Sequence, residues 1–184
     1  NRVIDDVRLQ LGNIEIQRGP LVRDSLVLQT LRLPDQASRL AWLAQHIPDL
    51  PGTGIVYVLT KEVAEQVSDW LSDQGILARA YHSKVKNANF KNRDDYRQHL
   101  EELLLSNKIK VLVATNALGM GYDKPDLGFV IHYQAPGSVV SYYQQVGRAG
   151  RAIDRAYGVL LAGKEDEGIH DFFRRNAFPG EHDV

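Results

Sequence analysis

The chain has no cysteine, so neither a disulfide nor a thiolate-bound metal is open to it. It has no apolar run near the ~20 residues a membrane-spanning helix needs, which gives no reason to expect a membrane partner. No Gly-x-x-x-x-Gly-Lys-Ser/Thr loop occurs to cradle a phosphate, and no Asp-Glu-x-His type of box to hold magnesium. Global basic charge is missing too: 22 Lys and Arg against 23 Asp and Glu leave a net charge of −1. Any hold on phosphate must therefore come from local placement of cations. The six histidines show no ligand spacing, so no metal site is expected. There is no signal peptide and no initiator Met. The chain starts mid-pattern at Asn1-Arg2-Val3, as an excised piece of a longer protein would.

What is present is an ordinary globular composition, with 43% hydrophobic and 24% charged residues in 184. That length suits one domain with a core of normal size. Val3, Ile4, Val7 and Leu11 have helical spacing, and Ile14-Glu15-Ile16 alternates like a short strand before the Gly19-Pro20 break. Residues 26–33 alternate as a strand that Pro34 ends. Strands are then expected at 54–59, 77–81, 110–114, 129–132 and 158–161. Helices are expected at about 35–46, 60–75, 92 or 94–106, 138–146 and 166–176. Asp35, Thr60 and Ser138 can cap three of them, and Gly75 can close the second. This alternation implies an α/β three-layer sandwich, with a mostly parallel sheet and helices on both faces. Ligands on such a sheet sit beyond the strand carboxyl ends, so the loops after 59, 81, 114 and 132 are where a site is expected.

Two stretches carry chemistry. Val113-Ala114-Thr115-Asn116-Ala117-Leu118-Gly119-Met120-Gly121-Tyr122-Asp123-Lys124-Pro125-Asp126 follows a strand directly. Its glycines allow close backbone approach, Thr115 offers a hydroxyl and an amide to phosphate, and Asp123 stands where a carboxylate could hold a ribose hydroxyl. Ser141-Tyr142-Tyr143-Gln144-Gln145-Val146-Gly147-Arg148-Ala149-Gly150-Arg151 sets two arginines three apart among small residues, as an unobstructed cationic pair. Such a pair grips phosphate bidentately and suits stabilising charge on a transferring phosphoryl group.

At these residues the chain resembles motifs V and VI of the superfamily-two helicases, and among them the bacterial RecQ-like DNA helicases most. DEAD-box RNA helicases carry a His-Arg start to motif VI where Gln144-Gln145 stands here. The resemblance runs from about residue 1 to 175, through "RGPLVRDSL" at the junction of the two motor domains and "GIVYVLT" and "LARAYHS" around motif IV. It implies a RecA-like fold, with residues 1–33 as the tail of a first motor domain plus connector and 34–184 as the second motor domain. It also implies an ATP-dependent DNA helicase of the bacterial cytoplasm and nucleoid, acting in repair and recombination on single-stranded or forked DNA. ATP with Mg²⁺ would be held largely by the first RecA-like domain of the same protein, so the chain alone is expected to be inactive.

By position, the resemblance makes Arg151 the arginine finger and gives Arg148 an assisting or tying role. Gln144, Gly121 and Asp123 would lie on the ATP side. Thr115, Thr60, Lys61, His82, Lys84 and Lys86 would face nucleic acid. Lys61 stands where the family often has Arg and loses the bidentate fork. The glycine that usually follows His82 shortly after is absent, and Ser83-Lys84-Val85 stands there instead. Residues 84–93 hold four basic residues, no acid and one aromatic, which reads equally as a phosphate contact or a solvated loop. Plainer readings stand beside the others. Asp123 can be a turn residue, Thr115 a cap, Tyr142 and Tyr143 core and helix-face residues, and His132 a satisfied structural histidine. An RNA helicase, a translocase that does not unwind, and a non-catalytic interaction domain are the rival functions.

Overall fold

The computed structural model describes residues 9–10, 23–119, 122–163 and 166. The expected segments at 3–11, 14–16 and 166–176 lie almost wholly outside them. Six strands, β1 (Leu26–Arg32), β2 (Thr53–Tyr57), β3 (Ala78–Tyr81), β4 (Val111–Ala114), β5 (Leu127–His132) and β6 (Ala156–Ala162), form one sheet in the order β1-β6-β5-β2-β4-β3. Every pairing is parallel. Among the described residues, four α-helices accompany it: α1 (Gln36–His46), α2 (Lys61–Asp73), α3 (Arg93–Leu105) and α4 (Val139–Val146).

The central strands β2, β4 and β5 are buried at every residue. This is why they read as continuous apolar runs rather than as alternations. Their side chains sort by parity into two cores. Val56, Val113 and Ile131, joined by Leu161 of β6, meet Leu43 of α1 and Val67 and Leu71 of α2. Ile55, Leu112, Ala114 and Val130 meet Leu100 and Leu104 of α3. Burying a leucine such as Leu71 or Leu104 stabilises the fold by roughly 2–3 kcal/mol. Among the described residues, no helix is long and apolar enough to cross a membrane.

The helix ends follow from local chemistry. Asp35, Thr60, Asn92 and Ser138 each accept the backbone N–H three residues on, which settles the choice between Asn92 and Asp94 in favour of Asn92. α2 stops at Gly75, whose φ of +79° only glycine adopts without strain, and Ile76 N–H returns to Leu71 O at 2.9 Å. Asn107 (φ 58°) closes α3 in the same way, the end near 106 being expected from the sequence but not the residue that makes it.

Two expectations change. β1 falls within 1–33, the stretch expected to be tail and connector, but it pairs along its whole length with β6, from Leu26 opposite Ala156 to Arg32 opposite Ala162. It is therefore part of this sheet. As the edge strand it is also less buried than its alternation suggests, with Leu28 half exposed.

Candidate nucleotide and nucleic-acid site

β2 sends its chain toward β3, while β5 sends its chain toward β6, so the sheet has its switch point between β2 and β5. The first long motif leaves the carboxyl end of β4, whereas the arginines of the second follow α4 and sit by the amino end of β5, where Gly150 N–H donates to Leu127 O at 3.1 Å. The first turns sharply as it leaves β4. Thr115 N–H donates to Tyr81 O at 3.0 Å, its Oγ1 accepts from Ala117 N–H at 3.3 Å, and Leu118 N–H returns to Thr115 O at 3.2 Å. The Thr115 hydroxyl thus shapes a turn rather than capping a helix. Gly121 lies outside the described residues. Further on, Lys124 is buried with its ammonium 2.6 Å from Asp126, whose carboxyl it holds below the usual range.

The two arginines are not an open pair, contrary to the sequence expectation. α4 ends at Gly147, and Gly150 (φ +71°) swings the chain round, so Arg148 and Arg151 leave the backbone in different surroundings. A side chain at Gly150 would also press on Ala156 and Ser25, with contacts at 3.1 Å. Arg148 is buried, donating from Nη1 to Tyr122 O at 2.6 Å and from Nη2 to Gly119 O at 2.9 Å. It clamps the motif V loop and, beside Tyr57, opposes the burial that pushes that phenol up to about 12. Arg151 is exposed and meets Asp123 Oδ1 at 2.8 Å. Two residues singled out separately are thus brought together.

The chain before β1 braces this loop. Arg23 Nη1 donates to Gly147 O at 2.9 Å and to Ala149 O at 3.3 Å, and Ser25 Oγ donates to Gly150 O at 2.9 Å. Sequence reasoning missed this role, because 124 or more residues separate the partners.

Gln144 is exposed, whereas its neighbour Gln145 is buried. The Gln145 carbonyl accepts from His132 Nε2 at 2.9 Å, and its amide donates to Asn116 Oδ1 at 2.8 Å. One side chain therefore ties motif V, the end of β5 and the helix leading to both arginines. The His132 ring lies near those of Tyr57 and Tyr142, 5.6 and 5.0 Å between centroids. Burial pulls the His132 pKa down to about 4, against the opposing effect of Gln145. The cavity these groups line, about 10 Å³, holds no more than a water. A signal for Gln145 did exist: it shares a helix face with Tyr142 and Val146, where a polar group needs a partner. Tyr143 is exposed on the opposite side of that helix.

The candidate nucleic-acid residues follow the carboxyl ends of β2, β3 and β4. Thr60 spends its hydroxyl on Val63 N–H at 3.3 Å, and Lys61 is exposed, 3.4 Å from Glu62. His82 is buried, with Nε2 2.8 Å from Glu65 and Nδ1 accepting from Lys84 N–H at 3.2 Å. Lys84 and Lys86 are exposed on either side of the buried Val85. Thr60 and His82 thus have structural partners, while the three lysines face water. No cluster of His, Asp or Glu fit to hold a metal occurs among the described residues.

Comparison with known proteins agrees with this geometry. A family model described as the helicase conserved C-terminal domain matches residues 39–153. The chain belongs to that family. It is 35% identical over 169 residues to the RecQ-like DNA helicase blm-1 of Caenorhabditis elegans, covering 90% of this chain and 16% of the relative. With the ATP-dependent DNA helicase RecQ of Synechocystis it shares 37% identity over 120 residues, 65% of this chain and 23% of the relative. The chain thus spans less than a quarter of the length of these curated relatives. A DEAD box protein from Methanococcus jannaschii superposes with a TM-score of 0.69 at 20% identity, over 95% of this chain and 46% of that one, a likeness of fold. This helicase C-terminal domain is thus a RecA-like α/β sandwich, similar in sequence to RecQ-like DNA helicases.

Proposed function

We propose that this domain serves as the second motor domain of an ATP-dependent DNA helicase, contributing an arginine finger and part of a track for single-stranded DNA. The observation that carries the reading is the division of labour between the two arginines. Arg148 is sunk into the fold and holds the motif V loop. Arg151 stands in water on the loop that Arg148, Arg23 and Ser25 brace. An exposed guanidinium on a braced loop can present its fork to a phosphate brought by another domain.

ATP with Mg²⁺ supplies the phosphoryl group to be transferred, and its main ligands belong to a first RecA-like domain. The residues here fit the outer rim of such a site and not its cradle. The cavity beside Gln145 is far too small for a nucleotide, whereas Arg151 and Asp123 are both open to water. Arg151 would leave Asp123 and meet the terminal phosphate, stabilising charge that develops as the bond breaks. Asp123, so released, can accept from a ribose hydroxyl, and the exposed Gln144 would face the same nucleotide. Thr115, Lys61, Lys84 and Lys86 would hold phosphates of the strand, with His82 and Thr60 shaping the loops that carry them.

In the intact protein, Arg151→Ala should lower the kcat of DNA-stimulated ATP hydrolysis by roughly 10³-fold or more while DNA binding persists. Near-normal hydrolysis would overturn the finger assignment and favour a non-catalytic interaction domain. The isolated domain should hydrolyse ATP negligibly, and robust turnover by it would overturn the shared-site reading. Stimulation by DNA rather than RNA oligonucleotides separates the DNA helicase from an RNA helicase.

A further inference from the structure

We infer that the free edge of β1 and the cleft beside it form a docking site for an extended peptide of a partner protein, one that carries an aromatic side chain and, two residues away, a carboxylate. The site goes beyond the helicase reading and does not depend on it.

The edge is ready to pair. β1 has β6 on one side, and among the described residues no strand lies on the other. The backbone groups of a strand point alternately to its two sides. Ser25 O accepts from Ala156 N–H at 2.7 Å, and Leu33 N–H donates to Ala162 O at 3.0 Å, so the odd-numbered residues face β6. Leu28, Thr30 and Arg32 therefore direct their N–H and C=O groups away from the sheet. Edge strands are ordinarily blunted by lysine, proline, a bulge or short length. β1 shows none of these. Its seven residues hold no lysine or proline, and its register against β6 runs unbroken from Leu26 to Arg32. Val27, Leu28, Gln29 and Thr30 are all exposed. An extended segment can add here as a further strand, held by main-chain hydrogen bonds.

The cleft selects the side chain. Leu31 packs with the core under α1, and Leu26 with the core under α3. Odd residues of β1 thus lie on the α1 side, where Gln29 borders an open cleft of about 440 Å³. Its floor is Tyr157 and Val159 of β6, which stand opposite Val27 and Gln29. Its wall is Trp42 and His46 of α1, stacked with ring centroids 4.5 Å apart, and His46 Nδ1 lies 2.9 Å from Trp42 O. Three rings around a cleft of this size suit an aromatic side chain. A residue of an added strand opposite Gln29 points to the same face, onto the mouth of the cleft. The helix that carries the arginines is on the other face, where a side chain at Gly158 would strike Val146 of α4 and Leu28.

Charge fixes the rest of the partner. Arg155 also lines the cleft, its guanidinium 5.6 Å from the Tyr157 ring centroid. It is exposed and belongs to none of the ion pairs among the described residues. Asp49, the carboxylate on the lining, has a cation of its own: burial lowers the Lys110 pKa, and Asp49 acts against that. The cleft thus offers an unpaired cation beside its rings. That cation stands over Tyr157, the partner of Val27. A carboxylate on the added strand opposite Val27 can meet it. That position is two residues from the one opposite Gln29 and shares its face.

The test uses the intact protein and a fluorescein-labelled peptide, Ser-Val-Asp-Thr-Phe-Thr-Val-Ser, with binding read by fluorescence anisotropy. The peptide should bind saturably. Replacing its phenylalanine with alanine should weaken binding about 30-fold. Replacing its aspartate with asparagine should weaken it about fivefold. Arg155→Gln in the protein should cost the same, and should cost nothing further with the asparagine peptide. Thr30→Pro removes one outward N–H and leaves the ladder to β6 in place, so it should weaken binding about fivefold or more. Both variants should keep DNA-stimulated ATP hydrolysis. Arg155 is exposed, so its variant tests the site even if β1 does not tolerate proline. No binding at millimolar peptide would overturn the inference and leave the helicase reading intact. So would binding indifferent to the phenylalanine and to Arg155. Self-association of the wild type in analytical ultracentrifugation, abolished by Thr30→Pro, would give the edge to a second copy of the chain and overturn the peptide assignment.

Discussion

Arg151 Nη1 lies 2.8 Å from Asp123 Oδ1, so motif VI and motif V meet through one exposed ion pair. Each partner keeps more than a third of its side-chain surface in water, 39% for Arg151 and 58% for Asp123. Such a pair contributes at most about 1 kcal/mol to stability, and salt weakens it. It is weak enough to open when a phosphate competes for the guanidinium. Asp123→Asn should therefore leave the urea midpoint of the isolated domain nearly unchanged. In a double-mutant cycle with Arg151→Ala, the stability coupling should be below about 1 kcal/mol. A coupling of several kcal/mol would mean that the pair is a structural lock.

Arg148 should behave in the opposite way. Removing it strips two carbonyls, on Gly119 and Tyr122, of their donors in a part-buried setting. Arg148→Ala should destabilise the isolated domain by about 2–4 kcal/mol in urea denaturation. Arg148→Lys should recover less than half of that, because an ammonium cannot fork to both oxygens. Equal, small effects of the Arg148 and Arg151 substitutions on stability would contradict the division between them.

His132 makes stability depend on pH in a defined window. Its pKa drops from 6.5 to about 4 on folding. Between these values the unfolded chain binds a proton that the folded one refuses, so stability rises with pH. The contribution is complete above about pH 6.5 and is lost as pH falls toward 4, a difference on the order of 3 kcal/mol. Carboxylates such as Asp126, held below its usual range by Lys124, add losses at lower pH. The clean comparison is thus the urea midpoint of wild type and His132→Gln between pH 5 and 6.5. The variant should have the shallower slope, and parallel slopes would remove His132 from the account.

Arg23 and Ser25 should act on the finger through the loop alone. Neither lies in motif V or VI, yet both donate to carbonyls of Gly147, Ala149 or Gly150. In the intact protein, Arg23→Ala/Ser25→Ala should lower the kcat of ATP hydrolysis by about tenfold or more, since a misplaced catalytic group costs rate steeply. The KM for ATP and the affinity for DNA should change little. A fall in DNA affinity with kcat intact would assign these residues to the track instead.

Element type was legible because its causes are local. Strand runs, caps at Asp35, Thr60 and Ser138, and the stop at Gly75 each depend on neighbours within a turn or two. The family was legible as well, since motifs V and VI carry it in contiguous residues, and the match over 39–153 bears this out. Partnerships were not. The sequence shows Arg148 and Arg151 as equals three residues apart, and only the turn at Gly150 separates a buried clamp from an exposed cation. It shows Gln144 and Gln145 as a doublet, and only the facing of α4 sinks Gln145 between His132 and Asn116.

By itself, then, the sequence determined a parallel α/β domain, the motif V loop at a strand carboxyl end, and membership of the helicase C-terminal domain family. Hydrophobic periodicity and short-range hydrogen bonding act along the chain and can be read along it. The tertiary structure alone decided that β1 belongs to this sheet, that Arg23 and Ser25 brace a loop more than 120 residues away, and that Arg151 rests on Asp123. Those choices depend on which groups long-range packing brings within about 3 Å, and hydrogen bonds and ion pairs fade steeply beyond that reach.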